Sequence, residues 1–280
     1  MIEGLGKDLR WALRALRRTL RKRQSYVILT PPHWRTQWVY GKGARRLRRY
    51  ETHAPSDHRV LRQVFEDEDY RLGDARGAEI DALYRCCVAT GRTPLIIDCG
   101  ANIGASAAYF AEVFPAARIV ALEPDPGNIA LARRNCPAAQ VEFLLAGIAA
   151  EDGRAMLVDP GIGAWGYRTE RDPAGDIAMV SVPSLLARYP EAVPLLIKID
   201  IEGFERELFA SNTGWVARFP LLIIELHDWL LPRSGSSAPF LRTIAALERD
   251  FIHRGENVFS YAHEIAAPPD TAARRETPSR

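Results

Sequence analysis

The sequence predicts an α/β chain, a doubly wound and mostly parallel sheet preceded by a basic N-terminal helical extension. Five short apolar runs punctuate residues 95–227: LIID (95–98), RIVALE (118–123), VEFLLAGIA (141–149), LLIKID (195–200) and PLLIIELH (220–227). Segments of helical character separate most of them. The runs are too apolar to alternate in and out, which is the signature of strands covered on both faces of a parallel sheet.

The elements follow in order. Residues 1–50 hold 14 Lys/Arg against only Glu3 and Asp8, a net of +12, whereas acids outnumber bases in the remainder. Such a split suggests two segments with different tasks. Leu9, Leu13, Leu16 and Leu20 fall on one helical face, and Arg10, Arg14, Arg17, Arg18 and Arg21 cover most of the rest. A basic amphipathic helix over residues 1–23 suits peripheral contact with an anionic membrane surface or an acidic partner. The plainer alternative is a helix packing its leucines on its own domain. No nucleic-acid-binding signature is present, so nucleic acid is not expected as a partner.

Residues 24–50 predict a strand or two and a linker, and residues 57–90 predict mostly helix, closed by Gly91 and Pro94. Helices are expected over 103–114, 126–135 and about 203–211. One further strand is expected near 256–262. The expected organisation is a basic extension (1–56), a catalytic domain (57–265) and a Pro- and Arg-rich tail (266–280) that is expected to be disordered.

Composition bounds the function class. The chain has 280 residues, 47% hydrophobic and 26% charged, enough to bury a core without disulfide staples. No run reaches the ~18 apolar residues of a membrane span. The N-terminus is too densely charged for a secretory signal. Cys86, Cys87, Cys99 and Cys136 show no CxxC spacing, which predicts reduced thiols in a cytoplasmic protein.

Open α/β sheets bind ligands at the carboxyl ends of their strands. The first run ends in Asp98-Cys99-Gly100-Ala101-Asn102-Ile103-Gly104. Glycines there permit a sharp turn and close backbone approach. The dinucleotide fingerprint GxGxxG is absent, which disfavours a pyrophosphate. Asp98 suits a cationic or amine-bearing ligand. Glu123 lies 23 residues past Gly100, about the spacing at which an acid meets ribose hydroxyls. Together these imply an adenosine-type ligand, S-adenosylmethionine before NAD.

IIDCGANIG (96–104), ALEPD (121–125), LLIKIDIEGFE (195–205) and LIIELHDWLLP (222–232) together resemble the FkbM-type methyltransferases. SDHRVLRQVFEDEDY (56–70) is similar to that family's lead-in. The resemblance covers about residues 57–262. It implies a class I, Rossmann-like, S-adenosylmethionine-dependent fold and O-methylation of a hydroxyl on a sugar, glycan or secondary metabolite. By motif match Asp98, Gly100, Asn102 and Gly104 would contact the methionine part of the cofactor, Glu123 the ribose, and Ala146 and Gly147 the adenine. Class I methyltransferases usually add two strands after the fifth, of which one is legible here.

Asp200 and His227 close the fourth and fifth runs and are the candidate catalytic residues, to orient or deprotonate the acceptor hydroxyl. Asp200 could instead cap the helix that follows, and a histidine held by acids is often structural. Glu202 and Glu205 could equally favour a helix N-terminus; Glu202 is also a candidate substrate contact. Lys198 could be a substrate contact or a partner for buried acids. Asp200 with Glu225, His227 or Asp228 could form a divalent metal site, but no strict ligand spacing supports one, and none is assigned. GIGAWGYR (161–168) suits a lid whose Trp165 and Arg168 stack on a sugar; the alternative is a hairpin turn with a buried Trp. Two other functions stay open: an NAD(P)-dependent oxidoreductase, and a non-catalytic membrane- or glycan-binding module on the same fold.

Overall fold

The computed structural model describes residues 24–158, 168–230 and 232–265, together with Arg10, Trp11, Leu13, Arg14 and Arg17. Three antiparallel strands come first: β1 (Tyr26–Ile28), β2 (Thr36–Gly41) and β3 (Arg46–Glu51). Helix α1 (Pro55–Leu61) runs into a π-helical turn at Arg62–Glu66. Asp74 then caps α2 (Ala75–Ala89) by accepting the Gly77 N–H. The alternating part begins with β4 (Pro94–Cys99), α3 (Ala105–Val113), β5 (Arg118–Glu123), α4 (Pro126–Asn135) and β6 (Val141–Leu145). The small strands β7 (Gly147–Ala149), β8 (Gly153–Val158), β9 (Arg168–Arg171) and β10 (Ile177–Ser181) follow. Helix α5 (Val182–Arg188) leads to β11 (Val193–Ile199), the single-turn α6 (Glu205–Leu208), a 3-10 turn (Thr213–Arg218) and β12 (Leu221–Glu225). Helix α7 (Ala238–Ala245) and the hairpin of β13 (Asp250–Arg254) and β14 (Asn257–Tyr261) close the described chain.

The central sheet has the order β6-β5-β4-β11-β12-β14-β13 and is parallel except for β14, which is antiparallel to both neighbours. This is the class I methyltransferase fold, doubly wound α/β. Strand order reverses between β4 and β11, the switch point where such sheets open a crevice. The apolar runs feed both faces. Leu95, Ile97 and Cys99 of β4 enter one core with Leu185 of α5, Trp215 and Phe240 of α7. Ile96 enters the other, with Ile80 of α2, Phe110 of α3 and Phe259.

That second core also contains Tyr26, Ile28, Val39 and Tyr50. The three-stranded sheet therefore shares its core with the residues beyond position 56. Arg48 pairs with Glu112 at 2.8 Å and donates to the Ala108 carbonyl at 3.2 Å, pinning β3 to α3. Where a strand or two and a linker were expected, three paired strands stand.

Three more expectations change. The run 141–149 is two strands: after Leu145 the chain leaves the central sheet, and β7 pairs in parallel with β10 in a separate sheet ordered β7-β10-β8-β9. The small pair Ala146-Gly147 marks the departure. The helix expected at 203–211 is one turn, because Gly203 at φ of 94° delays its start and Phe209 at φ −99°, ψ 8° ends it, and neither backbone continues a helix. The strand near 256–262 is β14; its partner β13 is the second strand that follows the fifth. All four cysteines are free thiols, three of them buried. Of the leucine stripe, Leu13 is described and exposed; Leu9, Leu16 and Leu20 lie outside the described residues, as does the tail 266–280.

Candidate active site

A cleft of about 360 Å³ opens at the carboxyl ends of β4, β11 and β12, at the switch point and within the roughly 300–1,000 Å³ range of small-molecule sites. The loop 100–102 forms one side, Asp200, Glu202, Glu225 and His227 another, and Ser56, Gln63 and Tyr70 the wall opposite.

The glycine loop is shaped by its protein neighbours. Gly100 has φ of 85°, and a Cβ there would stand 1.8 Å from the Asp200 carbonyl oxygen. The loops after β4 and β11 thus touch backbone to backbone, and only glycine fits between them. Gly104 has φ of 84°, and a Cβ would meet Ala132 of α4 at 2.9 Å; its role is helix packing. Asn102 has φ of 48°, and its side chain accepts the Ile103 N–H at 2.7 Å, the local bonding that makes Asn tolerable there.

Glu123 holds this loop from β5. It accepts the Asn102 N–H at 2.8 Å on one oxygen and the Asp125 N–H at 3.0 Å on the other, with Asn128 at 3.4 Å. Only 6% of Glu123 is exposed. Burial pushes its carboxyl up, the amide bonds from Asp125 and Asn102 oppose that, and it settles at about 7.

Beneath the loop lies a buried ion pair. Lys198 of β11 donates to the Gly100 carbonyl at 2.6 Å and stands 3.3 Å from Asp98 and 3.4 Å from Asp200. Burial alone would lower its pKa, but Tyr70, Asp98 and Asp200 outweigh it and hold the ammonium charged. Asp98 is fully buried and also accepts from Ser106 Oγ at 2.6 Å. The position expected to touch a cofactor instead braces the loop from below.

The other side of the cleft concentrates carboxylates around one imidazole. His227 is 1% exposed. Its Nδ1 lies 2.7 Å from Oε1 of the fully buried Glu205. Its Nε2 stands 3.4 Å from Glu225, 3.6 Å from Glu202 and 3.7 Å from Asp200. Burial would lower the imidazole pKa; the bond to Glu205, the contact with Glu225 and the charge of Asp200 override that and push it up to about 11. The surrounding carboxylates therefore favour the protonated ring when nothing is bound at Nε2. Burial and the charge of Asp200 push Glu202 up to about 8. Burial raises Glu225 against its contact with His227.

The structure brings Gly100, Asn102, Asp200, Glu202 and His227 to one cleft, with Asp98 beneath it and Glu123 bonded to its loop. It does not bring Gly104, Ala146 or Gly147 to that lining; Ala146 is buried in the core against Leu122 and Ile148. Trp165 lies outside the described residues, and Arg168 is described only as backbone at the start of β9. Sequence reasoning missed Tyr70, Ser106 and Asn128. Ser106 and Asn128 sit in the first turns of the helices that follow β4 and β5, a placement that signals them weakly. Tyr70 ends the lead-in stretch 56–70, which the resemblance does mark.

The sequence profile of the methyltransferase FkbM domain family matches residues 98–252. The hexuronic acid methyltransferase AglP of Haloferax volcanii is 25% identical over 191 residues, 66% of this chain and 78% of that protein. Among solved structures, a methyltransferase from Geobacter sulfurreducens matches 75% of this chain and 92% of its own, with 14% identity and a TM-score of 0.36. The fibrillarin pre-rRNA processing protein of Methanococcus jannaschii matches 62% and 68%, with 13% identity and a TM-score of 0.35.

Proposed function

The chain belongs to the methyltransferase FkbM domain family, and on that premise we propose that it moves the methyl group of S-adenosylmethionine to a hydroxyl of a sugar, glycan or related metabolite. Sugar acids are the first acceptors to assay, because a relative of 25% identity bears the name hexuronic acid methyltransferase. The observation that carries the reading is the cleft itself. It combines a tight glycine turn, an acid that follows it on the next strand, and a surplus of carboxylates facing the space between. A surplus of that sign fits a ligand carrying a sulfonium and an ammonium.

The residues fit this cofactor. Glu123 Oε2 takes only the Asn102 N–H and keeps a lone pair that a ribose hydroxyl can use; Oε1 takes the Asp125 N–H and a longer contact from Asn128, which a second hydroxyl would displace. Gly100, Ala101 and Asn102 present backbone to the cleft. When bound, S-adenosylmethionine supplies a methyl group already activated for displacement. What the chain must add is in-line placement of the acceptor and a destination for its proton. Asp200 and Glu202 are the partly exposed members of the carboxylate cluster. They bind the acceptor hydroxyl, and Asp200 takes the proton. Lys198 keeps its charge and fixes Asp200.

Calorimetry with S-adenosylhomocysteine tests the cofactor assignment. Glu123→Ala removes two charge-assisted hydrogen bonds, so affinity should fall on the order of 100-fold; unchanged affinity would remove Glu123 from the ribose. A labelled-methyl assay against uronic acids, neutral sugars and metabolite alcohols tests the acceptor class. Transfer to none of them, by protein that binds S-adenosylhomocysteine, would overturn it.

A further inference from the structure

We propose that His227, Asp200 and Glu202 form a binding site for one divalent transition-metal ion, with Glu205 as the carboxylate that orients the histidine and Glu225 beside it.

The imidazole supplies the first argument. Its Nδ1 is taken by Glu205 Oε1 at 2.7 Å. A ring fixed in this way by a buried carboxylate directs Nε2 outward as a ligand, the support that metal-binding histidines regularly have. Nε2 faces Glu225 Oε1, Glu202 Oε2 and Asp200 Oδ1 at 3.4, 3.6 and 3.7 Å. Those separations are longer than the roughly 2.7–3.2 Å of an N–H···O bond. They suit neighbouring ligands on one ion: metal bonds of about 2.0–2.2 Å place tetrahedral ligand atoms roughly 3.3–3.6 Å apart. Donor atoms of Asp200, Glu202 and His227 all lie within 4.8 Å of one another.

Charge supplies the second argument. Four carboxylates (Asp200, Glu202, Glu205 and Glu225) surround one imidazole, and the nearest other cation, Lys198, is shared with Asp98. Glu205 is fully buried, and its Oε2 has no hydrogen-bond partner among the described residues. A metal ion on Nε2 would take the place of the ring proton and balance these carboxylates from within the cleft. One nitrogen with several oxygens is a mixed donor set, suited to Mn²⁺, Fe²⁺ or Zn²⁺ more than to Mg²⁺ or Ca²⁺.

The ion would sit at the ends of β11 and β12, where Asp200 and Glu202 meet the cleft. The site stands on its own geometry; its use, to hold the acceptor hydroxyl and ease loss of its proton, rests on the methyl-transfer reading.

The test is Mn²⁺ binding to the full chain after dialysis against a chelator, read by the paramagnetic resonance of free Mn²⁺. One saturable site per chain is expected. Glu205→Gln, which keeps the shape of the side chain, should weaken it about 10–100-fold. Glu202→Gln, at the more exposed edge, should weaken it as well and decides the matter if Glu205→Gln fails to fold. Absence of saturable binding at millimolar Mn²⁺, or equal affinity in wild type and Glu202→Gln, would overturn the proposal. S-adenosylhomocysteine calorimetry on the same chelated protein separates the two readings. Cofactor binding without Mn²⁺ binding sinks the metal site alone; Mn²⁺ binding without cofactor binding supports the site and sinks the methyl-transfer reading.

Discussion

Glu123 shows how a single side chain can couple ligand binding to pH. It is almost wholly buried and its carboxyl titrates at about 7 rather than in the usual range near 4.5. A protonated carboxyl donates one hydrogen bond and accepts weakly, so it cannot accept from both hydroxyls of a ribose. Cofactor affinity should therefore rise as pH climbs toward 7 and level off above it, with a slope of about tenfold per pH unit on the acid side. Folding stability moves the other way. The folded state binds the proton more tightly than the unfolded chain, so this residue's contribution is full below pH ~4.5 and is lost as pH rises to about 7. S-adenosylhomocysteine calorimetry between pH 5.5 and 8.5 checks the first trend. Glu123→Gln should bind weakly and without the slope; a wild-type affinity flat across that range would contradict the assignment. Asp98 and Gly104 carry a different lesson. Both stand in a motif whose residue types point to a cofactor, yet Asp98 braces Lys198 and Gly104 makes room for Ala132.

At the scale of elements, legibility followed burial. The runs that became β4, β5, β11 and β12 are covered on both faces, so their apolar composition announces them. β13 was not legible: it is an edge strand, DFIHR, with charged residues at its ends and Phe251 exposed, as edges that resist unwanted pairing are. The break between β6 and β7 was illegible for another reason, since both halves are apolar and only their pairing partners differ. The carboxylates at the ends of β11 and β12 could be picked out from their positions, but their convergence on His227 depends on strands 20 or more residues apart in sequence lying side by side. The last hairpin also depends on one buried cation. Arg249 donates to the Ser260 hydroxyl at 3.0 Å, the Ser260 carbonyl at 2.8 Å and the Pro220 carbonyl at 3.3 Å, tying β14 to the approach of β12. Burial lowers its pKa to about 10, still well above neutrality. Arg249→Met keeps much of the apolar stem and orphans these acceptors. It should cost about 2–4 kcal/mol in urea unfolding, and a loss below about 0.5 kcal/mol would mean that the hairpin is held by its strand pairing alone.

At the scale of the whole molecule, the β1–β3 sheet packs into the core behind the cleft and supports it without lining it. No residue of β1, β2 or β3 faces the cleft among the described residues. Tyr50 of β3 is nevertheless fully buried, with its ring 5.3 Å from Phe65, and Phe65 lies in the turn that continues α1 toward the cleft wall. Asn135 at the end of α4 adds a polar link. It accepts the Glu51 N–H at 2.7 Å and donates to the Ile103 carbonyl at 2.9 Å, so it joins β3 to the glycine loop. A perturbation in the small sheet must then reach the site through Phe65 and through Asn135. Tyr50→Ala removes a buried aromatic side chain and should cost roughly 3–5 kcal/mol. If the two sheets are one unit, that loss appears as a single transition shifted to lower denaturant, with the slope preserved, and the cleft melts with it. Far-ultraviolet dichroism and S-adenosylhomocysteine binding followed through the same urea titration give the answer. Two separated transitions, with cofactor binding surviving the first, would show instead that the β1–β3 sheet is an independent appendage.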